Sequence, residues 1–436
     1  MFRHSGVSST ARWRRLVNLA AFLLVALAAA IAFSSSKAKF DGDEAEWIGT
    51  SKYFYTLFIE RDVSPTGWED SYWTRTQPMV ARYAIGSWLW VRGYDLPSFE
   101  PYYDHNANRE ANLKRGLGPS DDLLTEARRP QRLLAALAVL ALYTAVATIA
   151  GVPGGLVAAL LAIGSPYLRE HLIRAKGDTA LMLFTVCGLL ATILSLQRGG
   201  RRSALGWAAG LAGVSLGLAL GSKLTAILGF GAVALGGGFV VLRAIFSTPR
   251  GQRLLSEDIR RALGTIAIIL AVATATFIAS DPYLYPDPVG RTWTLFANRQ
   301  EEMAGQMATE PYKAMTTWQQ RTQQVWERSL FHETWGASYV GVPVEAYLAL
   351  LGLGWLILRG PVHGRAPETM LLAWVVCFAA GVSWGLGYRQ QHYFIPTTMM
   401  GLVLAGLGAG WIWDTARRAI THRSPASHAA QPSTAR

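Results

Sequence analysis

At 436 residues the chain could hold several soluble domains, but 51% hydrophobic residues, 16% charged residues and a mean hydropathy of +0.21 exclude that class and indicate a polytopic membrane protein. The net charge of +12 comes from arginines scattered over short loops and both termini, so it reports membrane topology and not a nucleic-acid partner. Cys187 and Cys377 both fall inside apolar windows, which excludes a disulfide framework and a cysteine zinc site.

Along the chain, Arg3, Arg12, Arg14 and Arg15 precede a first apolar run that is long for a signal peptide and is followed by further spans. It reads as a retained first helix with a cytoplasmic N-terminus. The stretch "FDGDEAEWIGTSKYFY" (40–55) follows at once. Asp41 or Gly42 can cap a helix there, with Asp43 and Glu44 in its first turn, where carboxylates suit the dipole. Trp47, Ser51, Phe54 and Phe58 recur at helical spacing, as expected of a helix lying in the membrane interface.

Apolar windows of membrane-crossing length predict spans at 16–33, 131–150, 152–168, 178–197, 204–221, 223–246, 262–280, 343–358, 368–386 and 393–413. Residues 78–93 are apolar but short and carry Arg82. Counting them as a span would turn "RGGRR" (198–202), Arg243 to Arg261, "RGPVHGR" (359–365) and the tail from Arg417 to the outer face, against the positive-inside rule. They therefore predict an interfacial helix. The expected architecture is an all-α polytopic membrane protein of about ten transmembrane helices. Both termini are cytoplasmic, with two large outer loops at 34–130 and 281–342, in one domain over 1–421 and a disordered tail at 422–436.

Capping needs one acid, yet Asp41, Asp43, Glu44 and Glu46 stand within a few positions of one another and repel unless cations are near. A carboxylate at that height can serve as a general base or help ligate a metal. On the same face lie Arg169, Arg174, Lys176, Lys223 and Arg389, contrary to the positive-inside trend. Snorkelling or helix C-terminal compensation explains any one of them; several together suggest an anion, and a lipid phosphate is the obvious one at that depth.

These segments resemble the C-type membrane glycosyltransferases that use polyprenyl- or dolichyl-phosphate sugars, especially the protein O-mannosyltransferase branch. "DEAEW" (43–47) looks like the family's Asp-Glu motif, and "TRTQPMVARYAIGSWLWVRGYD" (74–95) like its "HPPLGK" segment. "RRPQRLLAALAVL", "IRAKGDTALMLF", "GLALGSKLTAIL", "SDPYLYPDPVGR" and "YRQQHYFIPTTMM" follow in the family's order. The match departs where Thr76 and Gln77 replace His and Pro, where the basic residue moves to Arg82, and where "RQQHY" leaves Arg389 and His392 as alternatives for one place.

The resemblance implies inverting transfer of a sugar from a polyprenyl-phosphate carrier to an acceptor hydroxyl on the extracytoplasmic face of a bacterial or archaeal plasma membrane. Asp43 matches the catalytic base, with Glu44 steadying the acceptor or a cation. Arg174, Lys223 and Arg389 are expected on the donor phosphate, and Arg132, Asp178 and His392 in orienting the donor or loop. No metal site and no required cofactor follow, since the eight histidines show no ligand spacing, although a divalent cation is compatible with the acids. The acceptor is left open between protein Ser/Thr, a lipid and a glycan.

A transporter or flippase for lipid-linked sugars is the rival reading. It is disfavoured because the spans hold no interior Asp or Glu, Asp178 and Glu345 lying at edges. A non-catalytic subunit of a glycosylation complex is the third. Trp68, Trp73, Trp88 and Trp90 are candidates to stack on an acceptor, and Tyr283, Tyr285, Trp293 and Arg299 to roof the site, beside their ordinary use as interfacial belts. His332 and His363 read as ordinary loop residues.

Overall fold

The computed structural model describes residues 9–69, 72–197, 202–247, 257–331 and 334–422. "RGGRR", most of the expected tail and His332 lie outside the described residues, apart from Arg202 and His422 at helix ends. The described chain is helical, and its only β feature is an isolated bridge between Ala314 and Tyr388. Among the described residues, eight helices are long and apolar enough to cross a membrane.

One of them, Asp121–Gly164, is two spans in one. Gly151 sits at φ 74°, ψ 174°, a backbone state open to glycine. A Cβ on Gly155 would lie 2.8 Å from both the Tyr143 carbonyl and the Ala147 Cβ. In a continuous helix those residues would stand roughly 18 Å and 12 Å away at about 1.5 Å per residue, so the chain reverses at Gly151. The second limb is prolonged past Ser165 by Pro166–Leu172. With the shorter apolar helix Arg202–Leu220, the hairpin accounts for the ten expected spans.

Small residues let these spans approach closely. A Cβ on Gly352 would overlap the Leu404 carbonyl, and one on Gly408 the Leu348 carbonyl, so helices Val344–Ile357 and Ile395–His422 meet backbone to backbone.

The two long loops pack on each other at one end of the bundle. Trp68 and Met79 of the first loop share a core with Tyr283, Leu284 and Leu295 of the second. Helix Val80–Val91 is not a span. At about 1.5 Å per residue its 12 residues are too short to cross a bilayer, and Ala81, Ile85 and Leu89 bury against Trp47, Ile48, Leu124 and Ala127. Its Arg82, 1% exposed, donates to the carbonyls of Trp73 and Gln77, both at 3.2 Å, and fixes the loop before it.

The acidic stretch forms helix Gly42–Gly49, capped by Asp41. Glu44 was expected beside Asp43 in the chemistry, but it is fully buried and every direction around its carboxylate is engaged. Arg128 grips it through Nε (2.8 Å) and Nη2 (2.5 Å), the Ala175 N–H donates at 2.8 Å, and the Asp41 N–H closes a capping box at 3.2 Å. The other arginine nitrogen reaches the Ala38 carbonyl at 2.9 Å. Glu44 thus ties the acidic helix to the helix from Asp121 and to the loop before Asp178.

Two predictions follow from packing and charge. Gly408→Ala should lower the thermal midpoint in detergent, since overpacking costs about 1–3 kcal/mol. Gly354→Ala, on the same helix as Gly352 but with open space around it, should leave the midpoint unchanged or raise it. Glu44→Ala should destabilise by about 3–5 kcal/mol, the cost of stranding the buried Arg128, whereas Asp43→Asn should keep a near wild-type midpoint in the same melt.

Candidate active site

Beneath the loops a cavity of about 330 Å³ has two kinds of lining. Asp43, Glu46, Lys176, Asp178, Lys223, Arg299, Glu302 and His392 make it charged, and Ile227, Leu228, Phe296, Met303, Val382 and Leu386 make it apolar. Thr76, Gln77 and Pro78, which depart from the family motif at its first two positions, form part of the wall.

The capping of Gly42–Gly49 by Asp41 sets the height of Asp43. Lys176, whose side chain is 4% exposed, approaches Asp41 Oδ2 at 2.8 Å and donates to Asp43 Oδ2 at 2.7 Å. Asp43 Oδ1 has no hydrogen-bond partner among the described residues, and the side chain is 38% exposed. Burial pushes the Asp43 carboxyl up, but the charge and hydrogen bond of Lys176, then the charges of His105 and Lys223, outweigh it and hold Asp43 below the usual carboxylate value. It is an anion at neutral pH with one oxygen available.

Glu46, one helical turn on, meets His105 Nε2 at 2.8 Å. Burial raises the Glu46 carboxyl despite that contact, and the hydrogen bond to Glu46 raises the His105 imidazole. Ligand atoms of Asp43, Glu46 and His105 all lie within 4.8 Å of one another. The absence of histidine ligand spacing in the sequence therefore does not carry into space: these three could hold a divalent cation. His105 comes from a loop 59 residues away from Glu46, a separation no motif would flag.

The cations divide into those that reach the cavity and those that do not. Lys223 lines it and pairs with Asp178 at 2.5 Å; its ammonium and the Arg299 guanidinium lie 5.3 and 5.7 Å from the centre of the Tyr393 ring. Arg299 also pairs with Glu302 and donates to the Tyr393 hydroxyl. Arg174, expected on the donor phosphate, lies outside the cavity wall and is taken up by Asp41 at 3.2 Å and Glu170 at 2.6 Å. Arg389 is exposed and its N–H donates to the Lys313 carbonyl; of the two alternatives in the last motif, His392 lines the cavity and Arg389 does not.

Arg132 also stands apart from the cavity, its Nη2 near the Ser36 carbonyl at 3.5 Å, while Arg128 one turn earlier performs the clamping. Lys176 and Arg299 thus replace Arg174 and Arg389 as cavity cations. Arg174 and Lys176 lie in the same short loop between helices Pro166–Leu172 and Asp178–Gln197, and only Lys176 lines the cavity.

The first-loop tryptophans have other uses. Trp68 is fully buried, Trp88 donates to Glu126 at 3.2 Å, and Trp90 packs near Phe54. Trp47 and Phe296 are the aromatic walls of the cavity beside Tyr393. Glu345, at a helix start, accepts from the Gly336 N–H at 2.7 Å.

Residues 120–277 match the family described as dolichyl-phosphate-mannose-protein mannosyltransferase. No curated protein matches the chain by sequence. Among solved structures, the fold is similar to the archaeal oligosaccharyltransferase AglB from Archaeoglobus fulgidus, in complex with an inhibitory peptide and a dolichol-phosphate. The TM-score is 0.58 at 12% identity, over 95% of this chain and 52% of that one. It is also similar to ArnT from Cupriavidus metallidurans bound to undecaprenyl phosphate, with a TM-score of 0.50 at 16% identity, over 92% of this chain and 63% of that one. The chain spans about half the length of the first of these. Residues 120–277 thus resemble the protein mannosyltransferase family by sequence, as the motifs predict, and along nearly its whole length the chain has a fold similar to those of AglB and ArnT.

Proposed function

We propose that the chain is a membrane glycosyltransferase that moves a sugar from a polyprenyl-phosphate carrier to an acceptor hydroxyl. The observation that carries this reading is the mixed lining of one cavity: a partly exposed carboxylate with Lys176, Lys223 and Arg299, and the apolar side chains Ile227, Leu228, Val382 and Leu386. An amphiphile with an anionic head and a hydrocarbon tail matches both kinds of wall at once. The structures of AglB and ArnT, similar in fold, hold dolichol-phosphate and undecaprenyl phosphate respectively.

In this reading Asp43 Oδ1 accepts the proton of the acceptor hydroxyl while that oxygen forms its bond to the anomeric carbon. The bond from the anomeric carbon to the phosphate oxygen breaks, and its electron pair leaves with the lipid phosphate. Lys223 and Arg299 stabilise the charge that develops there, and Lys176 keeps Asp43 ionised. Attack from the side opposite the phosphate inverts the anomeric centre. Arg243, at the far end of helix Ile227–Ser247 from the cavity-lining Ile227 and Leu228, bonds to the Pro361 carbonyl, so the basic segment with Arg359 and Arg365 lies at the opposite end of the bundle. That charge asymmetry supports an extracytoplasmic cavity.

Asp43→Asn in nanodiscs supplied with an undecaprenyl-phosphate sugar should lower transfer by at least about a hundredfold, the lower end of the range for general base catalysis, while undecaprenyl phosphate binding survives. Unchanged turnover would remove Asp43 as the base. Because Lys176 opposes the upward push of burial, Lys176→Met should raise the Asp43 carboxyl. The acid limb of the kcat/KM profile should then move to higher pH. A limb that stays in place, or moves to lower pH, would contradict the role given to Lys176.

A further inference from the structure

The cavity has a second arm. A hollow of about 330 Å³ lies between the short helix Tyr72–Thr76 and helix Pro288–Thr309, lined by Tyr72, Arg75, Thr76, Asn298, Glu301 and Glu302. It shares Thr76 and Glu302 with the main cavity, yet none of the apolar residues of that cavity named above borders it.

Its walls are braced. The Tyr72 ring, 48% exposed, packs edge-on against Trp73 at 4.9 Å between centroids. Asn298 Nδ2 donates to the Arg75 carbonyl at 2.9 Å, tying one wall to the other. The arm therefore offers an exposed, fixed aromatic face flanked by two carboxylates, an amide and a guanidinium.

That combination suits a sugar, whose C–H face covers an aromatic ring while its hydroxyls pair with planar polar groups. It suits an extended peptide poorly, because both walls are helices with no open strand edge to pair its backbone. The arm itself carries Glu301 and Glu302 against Arg75, an acidic balance that disfavours a phosphorylated acceptor.

We propose that this arm is the acceptor subsite and that the acceptor is an uncharged saccharide, one hydroxyl of which passes Thr76 and Glu302 to reach Asp43. The inference rests on the glycosyltransferase reading above. Tyr72 is then a specificity-determining residue, set apart from the donor phosphate.

The test uses the full chain in nanodiscs loaded with undecaprenyl phosphate, titrated with fluorescent neutral oligosaccharides (gluco-, manno-, galacto- and arabino-series) and with Ser/Thr-rich peptides of similar size. The saccharides should bind and the peptides should not. Tyr72→Ala should weaken saccharide binding at least tenfold and Tyr72→Phe should largely retain it, with undecaprenyl phosphate affinity unchanged in both variants. Peptide binding alone, absence of saccharide binding to lipid-loaded protein, or unaltered saccharide affinity in Tyr72→Ala would each overturn the acceptor assignment and leave the donor reading standing. Failure of wild-type protein to bind undecaprenyl phosphate would overturn both.

Discussion

The buried pair of Glu44 and Arg128 is the contact on which the site depends. Glu44 is 0% exposed, and two ionised groups can be held there only because each hydrogen-bonding direction is filled. Its partners come from three places: the helix beginning at Asp121, the loop at Ala175 and the N-cap at Asp41. By joining these, one carboxylate sets the position of the next, so that Asp43 faces the cavity and meets Lys176. The rigidity of the neighbour gives Asp43 its fixed height above the spans.

Around that anchor the charges are paired. Asp41 is shared between Arg174 and Lys176, Asp178 occupies Lys223, and Glu302 occupies Arg299. Lys223 and Arg299 each keep an aromatic face of Tyr393 nearby. A lipid phosphate entering this group would exchange carboxylate partners for its own oxygens, so donor binding does not need bare cations buried in advance. Arg82 contributes at one remove: it holds the loop of Thr76 and Gln77 and lies 5.0 Å from the centre of the Trp47 ring, so two parts of the cavity wall share one support.

Much of the fold was legible in the sequence because a bilayer imposes strong rules. The span count, the interfacial status of residues 78–93 and the grouping of the long loops all follow from hydropathy and arginine placement. The Gly151 reversal was legible only as two adjacent windows, 131–150 and 152–168. The site was less so. The acids were conspicuous, but choosing among them depends on which side chain turns inward: Glu44 clamps and Asp43 faces the cavity although they are neighbours. Arg174 and Lys176 differ in the same way, as do Arg389 and His392. His105, Tyr72 and Glu302 left no signal, since their loops reach the site only through the packing of Trp68, Tyr283 and Leu295.

The central claim is that one cavity holds an anionic lipid head beside Asp43 and its tail between the spans. An experimental structure of the chain with bound undecaprenyl phosphate tests it most directly. The account predicts phosphate density contacting Lys223 and Arg299 within reach of Asp43, with the polyprenyl chain along Ile227, Leu228 and Val382. A phosphate seated on Arg174 or Arg389, or a lipid bound away from this cavity, would contradict it.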